Sequence, residues 1–224
     1  MSRLLLVLFG LFWCFGMNPA VAESSYDVAL DSSVSIEISS PRTYGDWVTI
    51  GTGTLVKVDG RKSVLTAKHI AEFSALDTVT MRACSMLDEY ECIDLEYYIS
   101  NSGLYLSDDW AIFYVDKFPK KMKAAKIRTK QLDIGDELIL VGHPGGTEWV
   151  SNGSIAWVYE GPETMYFVDG FGWPGYSGGG VFDRKGRLIG ITVAGFIKTD
   201  PVNRASRFME DQIFVIPIGD VDIL

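Results

Sequence analysis

The chain has 224 residues, of which 47% are hydrophobic and 22% charged, a composition that excludes a disordered or collagen-like chain. Its length predicts one folded unit, or two small subdomains that share an interface. The net charge of −9 at pH 7 excludes the broad basic surface that binding to nucleic acid or to anionic lipid requires.

The first 22 residues have the order of a secretory signal peptide. Arg3 supplies a positive charge, residues 4–15 form an apolar run, Asn18-Pro19 interrupts it, and Ala20-Val21-Ala22 offers small residues for cleavage. We therefore expect cleavage after Ala22 and a secreted or periplasmic protein with no stable membrane insertion. The alternative is an uncleaved anchor, although a spanning helix needs roughly 20 apolar residues.

Two of the three cysteines, Cys84 and Cys92, lie beyond the predicted signal peptide. In an oxidising compartment two cysteines this close along the chain are expected to form a disulfide across a hairpin or loop, whereas free thiols would be the alternative in a cytosolic protein. The sequence has no cysteine and histidine spacing of the zinc-binding kind. Neither a metal nor an organic cofactor is expected.

From residue 46 onward, short runs of β-branched and aromatic residues alternate with Gly, Asn, Asp or Pro. Such runs at near-regular spacing predict an antiparallel sandwich or barrel. The predicted strands are residues 47–50, 54–58, 63–66, 78–83, 110–115, 137–141, 148–150, 154–159, 164–168, 179–182, 188–193 and 212–216. Residues 67–73 and 120–125 are the helix-like stretches. Residues 23–44, rich in Ser and Asp, are predicted to form a surface arm, with a strand as the alternative.

A lysine-rich segment, residues 117–130, separates the two groups of predicted strands. It contains seven lysines and arginines. Such a run of charge usually belongs to a solvated surface, so we interpret the segment as a linker between two β subdomains. A docking patch for an acidic partner is the alternative.

The strongest chemical signal is a glycine-rich segment around Ser177, Gly-Trp-Pro-Gly-Tyr-Ser-Gly-Gly-Gly from Gly172 to Gly180. A serine hydroxyl is a weak nucleophile, and it needs a base at its oxygen and hydrogen-bond donors for the oxyanion that forms. Glycine permits irregular backbone, so that the amides of Gly175 and Ser177 can converge on one point. The segment predicts Ser177 as a nucleophile and these two N–H groups as an oxyanion hole.

The chain order of the histidines restricts the folds that could use this serine. The sequence has two histidines, His69 and His143, and both precede Ser177. An α/β-hydrolase places its histidine after the serine, so that fold is excluded. His69 follows a predicted buried strand, and Asp109 stands at the start of another. His143 lies in Gly-His-Pro-Gly, which is typical of a turn, and is interpreted as structural.

Three motifs in this order resemble those of the trypsin-like serine proteases: Thr66-Ala67-Lys68-His69, Asp109-Trp110-Ala111-Ile112 and Gly175-Tyr176-Ser177-Gly178-Gly179. Shorter matches are similar to the bacterial branch that includes the HtrA/Deg and glutamyl endopeptidase proteases; they are Gly51-Thr52-Gly53-Thr54, Val141-Gly142-His143-Pro144-Gly145, Leu188-Ile189-Gly190-Ile191 and Phe214-Val215-Ile216-Pro217. The resemblance covers residues 48–217.

This resemblance implies an all-β fold of two six-stranded Greek-key barrels with the active site in the cleft between them. Residues 45–116 and 131–224 would form the barrels, and 117–130 would join them. A PDZ domain, common in HtrA relatives, is not expected in the 47 residues after Ser177. The implied triad has Ser177 as nucleophile, His69 as base and Asp109 as the acid that orients the histidine; Asp108 is the local alternative.

The resemblance also implies a substrate pocket. Phe171, six residues before Ser177, matches the pocket floor where trypsin has Asp, and Thr192-Val193-Ala194-Gly195 matches a wall. We expect small or apolar P1 side chains in a pocket of this composition. Tyr176 stands where animal digestive enzymes have the Asp that pairs with a new amino terminus, so activation by that route is not expected.

The function predicted from the sequence is a serine endopeptidase that cleaves protein or peptide substrates through an acyl-enzyme. The alternative from another class is a catalytically idle trypsin-like fold that binds or guards unfolded proteins. Ester hydrolysis on the same scaffold would use the same chemistry.

Overall fold

The computed structural model describes residues 24–76, 78–87, 90–100, 103, 105–161, 164–199 and 206–220. The predicted signal peptide lies outside these residues. They form two sheets of seven strands each. No helix in this part of the chain is long and apolar enough to cross a membrane.

The elements follow the chain from end to end. The strands are β1 (Ser33–Ser39), β2 (Val48–Val58), β3 (Arg61–Thr66), β4 (Thr80–Cys84), β5 (Cys92–Asp94), β6 (Tyr98–Ser100), β7 (Ala111–Tyr114), β8 (Lys126–Ile127), β9 (Glu137–Gly142), β10 (Trp149–Glu160), β11 (Thr164–Gly170), β12 (Gly180–Asp183), β13 (Arg187–Thr199) and β14 (Ser206–Pro217). The helices are α1 (Ser25–Leu30) and α2 (Lys68–Ala71).

The first sheet has the order β5-β4-β1-β2-β3-β7-β6. β1, the third strand in this order, pairs antiparallel with both β2 and β4. Residues 23–44, predicted as a surface arm with a strand as the alternative, therefore contain a strand inside the sheet. β1 carries buried polar side chains, including Glu37, which is 5% exposed. Glu37 accepts hydrogen bonds from Arg82 at 2.8 Å and from the Tyr90 hydroxyl at 2.7 Å, which stabilises its burial.

The second sheet closes into a barrel. Its order is β12-β9-β10-β11-β14-β13, and a further pairing of β12 with β13 joins the two ends, while β8 adds to β13 in parallel. The all-β, two-barrel prediction is therefore confirmed, with this barrel closed and the first sheet open along its described edges. The predicted helix at 67–73 corresponds to α2 and a following 3-10 turn, Glu72–Ala75. The helix predicted at 120–125 is wrong, because these residues form a turn and extended chain.

A continuous apolar core fixes the two sheets against each other. It contains Leu55, Leu65 and Ile112 of the first sheet together with Val141 and Phe182 of the second, all of them buried. Burial of apolar side chains is the main favourable contribution to folding. Since the core crosses from one sheet to the other, the loops at the ends of the strands are held in fixed relative positions.

The predicted disulfide is confirmed. Cys84 and Cys92 are bonded, and they lie opposite each other where β4 pairs with β5. The bridge closes a short loop at one edge of the first sheet.

Replacing both cysteines, as Cys84→Ala/Cys92→Ala, should lower the free energy of unfolding by about 2 to 3 kcal/mol, the chain-entropy value for a loop of this length. Activity should change little, because the bridge lies on an edge strand. Urea unfolding of both proteins measures the difference. An unchanged midpoint would show that the bridge does not constrain the unfolded chain.

Candidate active site

The pairing of β3 with β7 brings His69 and Asp109 together. The two strands are antiparallel, with Thr66 opposite Ala111. The chain leaves β3 just before His69 and enters β7 just after Asp109, so both side chains lie at the same edge of the sheet. His69 is in the first turn of α2, which begins directly after Ala67.

The Asp109 carboxylate makes two hydrogen bonds to one residue. One oxygen lies 2.7 Å from His69 Nδ1, and the other accepts the His69 backbone N–H at 2.9 Å. An ionised carboxylate only accepts, so this contact favours the tautomer with the ring proton on Nδ1, in which Nε2 is the acceptor nitrogen. The Asp109 side chain is 17% exposed and that of His69 43%, so the carboxylate is largely covered while the imidazole is partly open to solvent.

Asp108, the local alternative to Asp109, has another role. It is 3% exposed, and its carboxylate accepts the backbone N–H of Tyr105 at 2.9 Å, within the 3-10 turn Leu106–Asp108. The structure therefore brings Asp109 to His69, while Asp108 caps a turn.

Ser177 lies on a loop that packs directly against the first sheet. Its carbonyl accepts the backbone N–H of Thr52 in β2 at 2.8 Å. Gly178 has a φ of +83°, and a Cβ there would overlap the Thr52 carbonyl and the Thr66 hydroxyl. Only a residue without a side chain permits this approach. Ser177 is thus held beside the end of β3. That strand ends at Thr66, three residues before His69.

The turn before Ser177 orients the backbone of Gly175. Tyr176 N–H donates to the Trp173 carbonyl at 2.9 Å, Pro174 is the second residue of this turn, and Gly175 is the third with a φ of +109°. Pro followed by a residue of positive φ defines a type II turn. Among the described residues, nothing accepts the N–H groups of Gly175 or Ser177. Both donors remain available to a bound oxygen atom.

A small pocket opens beside Ser177. It has a volume of about 50 Å³ and is lined by Gly172, Trp173, Pro174, Tyr176, Ser177, Thr192, Ala194, Gly195 and Ile213. Three of the five predicted pocket residues, Thr192, Ala194 and Gly195, are in this lining, and Val193 and Phe171 are not. The Phe171 ring instead stacks between Trp149 and Trp173, at centroid distances of 5.6 and 6.5 Å.

Tyr176 anchors the serine loop in the second barrel. It is 2% exposed, and its ring lies over Gly142, where an added Cβ would come within 2.5 Å of it. Burial raises the pKa of its phenol. Tyr176 thus holds this position by an apolar contact with Gly142. The Asp that animal digestive enzymes have here would need an ion pair instead.

His143 is fully buried next to this loop. Its ring nitrogens have no hydrogen-bond partner among the described residues, and Nε2 lies 3.9 Å from a Glu148 oxygen, beyond hydrogen-bond range. Burial lowers the pKa of His143 to about 4 and raises that of Glu148. His143 is therefore neutral at pH 7.

Sequence reasoning missed two residues that contact this site, Thr52 and Ile213. Thr52 stands within the Gly-Thr-Gly-Thr motif, which was the available signal, whereas nothing local marks Ile213. In the described part of the chain, no three His, Cys, Asp or Glu side chains are grouped to hold a metal ion.

Comparisons with known proteins identify a family and a fold. The sequence matches the model of the trypsin-like peptidase domain over residues 51–191. Among curated protein sequences, none matches the chain. The fold is similar to that of the Rv3671c protease from M. tuberculosis in its active form, at 21% identity, with 91% of this chain and 84% of that chain covered and a TM-score of 0.61.

A second structure with this fold is the HtrA-type protease AlgW with a decapeptide. The identity is 19%, the cover is 87% of this chain and 63% of that chain, and the TM-score is 0.64. The chain thus spans less than two thirds of AlgW, and identities this low show a shared fold.

The buried His143 should make the fold sensitive to acid. Its pKa falls from 6.5 in the unfolded chain to about 4 in the fold, so the stability it contributes is present above pH 6.5 and is lost as the pH falls towards 4. Between pH 7 and pH 4 the free energy of unfolding should therefore fall by about 3 kcal/mol through this histidine. Urea unfolding of wild type and His143→Asn at pH 7 and pH 4 measures it: the variant should lose less stability than wild type, and equal losses would contradict the assignment.

Proposed function

Because the chain belongs to the trypsin-like peptidase family, we propose that it is a serine endopeptidase with Ser177, His69 and Asp109 as its triad. The observation that carries the proposal is the Asp109 carboxylate on His69, with Nδ1 to Oδ2 at 2.7 Å. This contact fixes the tautomer in which Nε2 can accept a proton. The glycine loop supports it from the other side, by holding Ser177 near the same edge of the first sheet.

The proposed reaction has two steps. The Ser177 oxygen attacks the carbonyl carbon of the scissile bond while its proton moves to His69 Nε2, and the tetrahedral oxyanion accepts the N–H groups of Gly175 and Ser177. The C–N bond then breaks as His69 returns the proton to the leaving amine. In the second step, water attacks the acyl-enzyme carbonyl while His69 accepts its proton. The bond to Ser177 then breaks, His69 returns the proton to the serine oxygen, and the carboxylic acid product is released.

The binding-module alternative fits these contacts less well. A protein that only binds needs no histidine held by a carboxylate at both its Nδ1 and its backbone N–H, and no pair of backbone donors without acceptors. Ester hydrolysis shares the mechanism. Peptides are the favoured substrate, in keeping with the decapeptide bound in the AlgW structure. The predicted signal peptide places the enzyme outside the cytoplasm.

The substrate pocket supports a preference for small P1 side chains. Its volume is about 50 Å³, so short side chains suit it better than long ones. Ile213, which is 1% exposed, narrows it, and the Ile213 side chain lies 2.7 Å from where a Cβ on Gly172 would be. The pocket composition favours alanine or valine at P1 over lysine, arginine or glutamate.

The triad is tested by hydrolysis of a peptide library by the mature chain. Ser177→Ala should abolish activity, and Asp109→Asn should lower kcat/KM by about 10³- to 10⁴-fold, because the amide cannot hold the reactive tautomer. Asp108→Asn is the matched control, since an amide oxygen can still accept the Tyr105 N–H, and it should stay within severalfold of wild type. Equal activity of Ser177→Ala and wild type would contradict the proposal.

The P1 preference is tested at Ile213. Ile213→Ala should enlarge the pocket and raise kcat/KM for leucine relative to alanine at P1 by about tenfold or more, the usual size of such discrimination. Ile155→Ala, in the core of the same barrel, is the control for general loosening and should leave the ratio unchanged. An identical shift in both variants would show that Ile213 does not set the preference.

A further inference from the structure

One buried hydroxyl group joins three segments beside the proposed oxyanion hole. The Thr52 side chain in β2 is fully buried. Its Oγ1 donates to the Gly175 carbonyl at 2.7 Å and accepts the His143 backbone N–H at 2.9 Å. Both hydrogen bonds reach the second barrel from the first sheet, and they use the donor and an acceptor site of this hydroxyl.

The backbone of Thr52 holds the nucleophile loop as well. Its N–H donates to the Ser177 carbonyl at 2.8 Å, and its own carbonyl accepts the Thr66 hydroxyl at 2.7 Å. Thr52 therefore binds the carbonyl groups of Gly175 and Ser177, the two residues whose N–H groups are the proposed oxyanion donors.

The Gly175 carbonyl belongs to the peptide between Gly175 and Tyr176, and this peptide is held at both ends. Its oxygen accepts the Thr52 hydroxyl at 2.7 Å, and its N–H, that of Tyr176, donates to the Trp173 carbonyl at 2.9 Å. Loss of the Thr52 hydroxyl releases one of these ends. Glycine has the least restricted backbone of all residues, so the Gly175 N–H is then no longer fixed in direction. Pro144 limits the space further, since a Cβ on Gly175 would lie 2.7 Å from Pro144 Cα.

We propose that Thr52 is a positioning residue for the oxyanion hole, which sets the rate of the chemical step through Gly175 and Ser177 without touching substrate. The inference rests on the proposed function. Its distinctive consequence is an effect on kcat, because the hole stabilises the transition state more than the bound substrate.

The test compares Thr52→Val, Thr52→Ala and Thr52→Ser by steady-state hydrolysis of one P1-alanine peptide. Valine keeps the shape of threonine and removes the hydroxyl; kcat should fall about 10²-fold, the size of a lost oxyanion donor, with KM within threefold. Alanine should give the same result if valine prevents folding. Serine restores the hydroxyl, and kcat should return to within severalfold of wild type.

The matched control is Thr54→Val on the same strand. Thr54 is equally buried, and its hydroxyl makes a longer contact, 3.4 Å, to the Gly178 carbonyl. Its kcat should stay within threefold of wild type, with thermal unfolding of every variant reporting any loss of fold.

Two outcomes separate the inference from the function on which it rests. If Ser177→Ala abolishes hydrolysis but folded Thr52→Val or Thr52→Ala retains wild-type kcat, the inference is overturned and the endopeptidase stands. The inference is overturned in the same way if Thr52→Ser is as impaired as Thr52→Val. If hydrolysis does not depend on Ser177, both fail together.

Discussion

The contact on which the site depends is the docking of the serine loop onto strand β2. At Gly178 the backbone of the second barrel meets the backbone of the first sheet, and any side chain there would hold the sheets apart. Thr52 adds hydrogen bonds across the same junction. The proposed base and its carboxylate come from the first sheet and the proposed nucleophile from the second barrel, so this junction decides whether they meet.

The rest of the fold supplies rigidity to that junction. The shared apolar core prevents the two sheets from sliding, and the ring of Tyr176, one residue before Ser177, lies over Gly142. This packing also buries polar groups, which costs free energy of folding. The His143 ring is held neutral and has no hydrogen-bond partner among the described residues. Packing and neutral hydrogen bonds hold this loop in its place.

The sequence marks candidate site residues more clearly than it marks some of the strands that support them. His69, Asp109 and Ser177 stand out as candidates because the proposed chemistry needs fixed neighbours in a fixed order. Strand β1 was hard to identify because it contains a buried charged residue, Glu37. The hydrogen bonds from Arg82 and Tyr90 that stabilise Glu37 form only in the folded sheet. Likewise Phe171 is drawn into an aromatic stack and Ile213 lines the pocket from 36 residues beyond Ser177, and neither arrangement has a local signal.

Activation of a serine on one barrel by a base on the other sheet can be measured as a labelling rate. A fluorophosphonate probe is reacted with the folded, oxidised chain from Glu23 onward, and the modified residue is located by mass spectrometry. We expect one adduct on Ser177, none in Ser177→Ala, and labelling slowed by about 10³-fold or more in His69→Ala, since triad members act as a unit. Equal labelling rates in wild type and His69→Ala would show that His69 does not activate the serine.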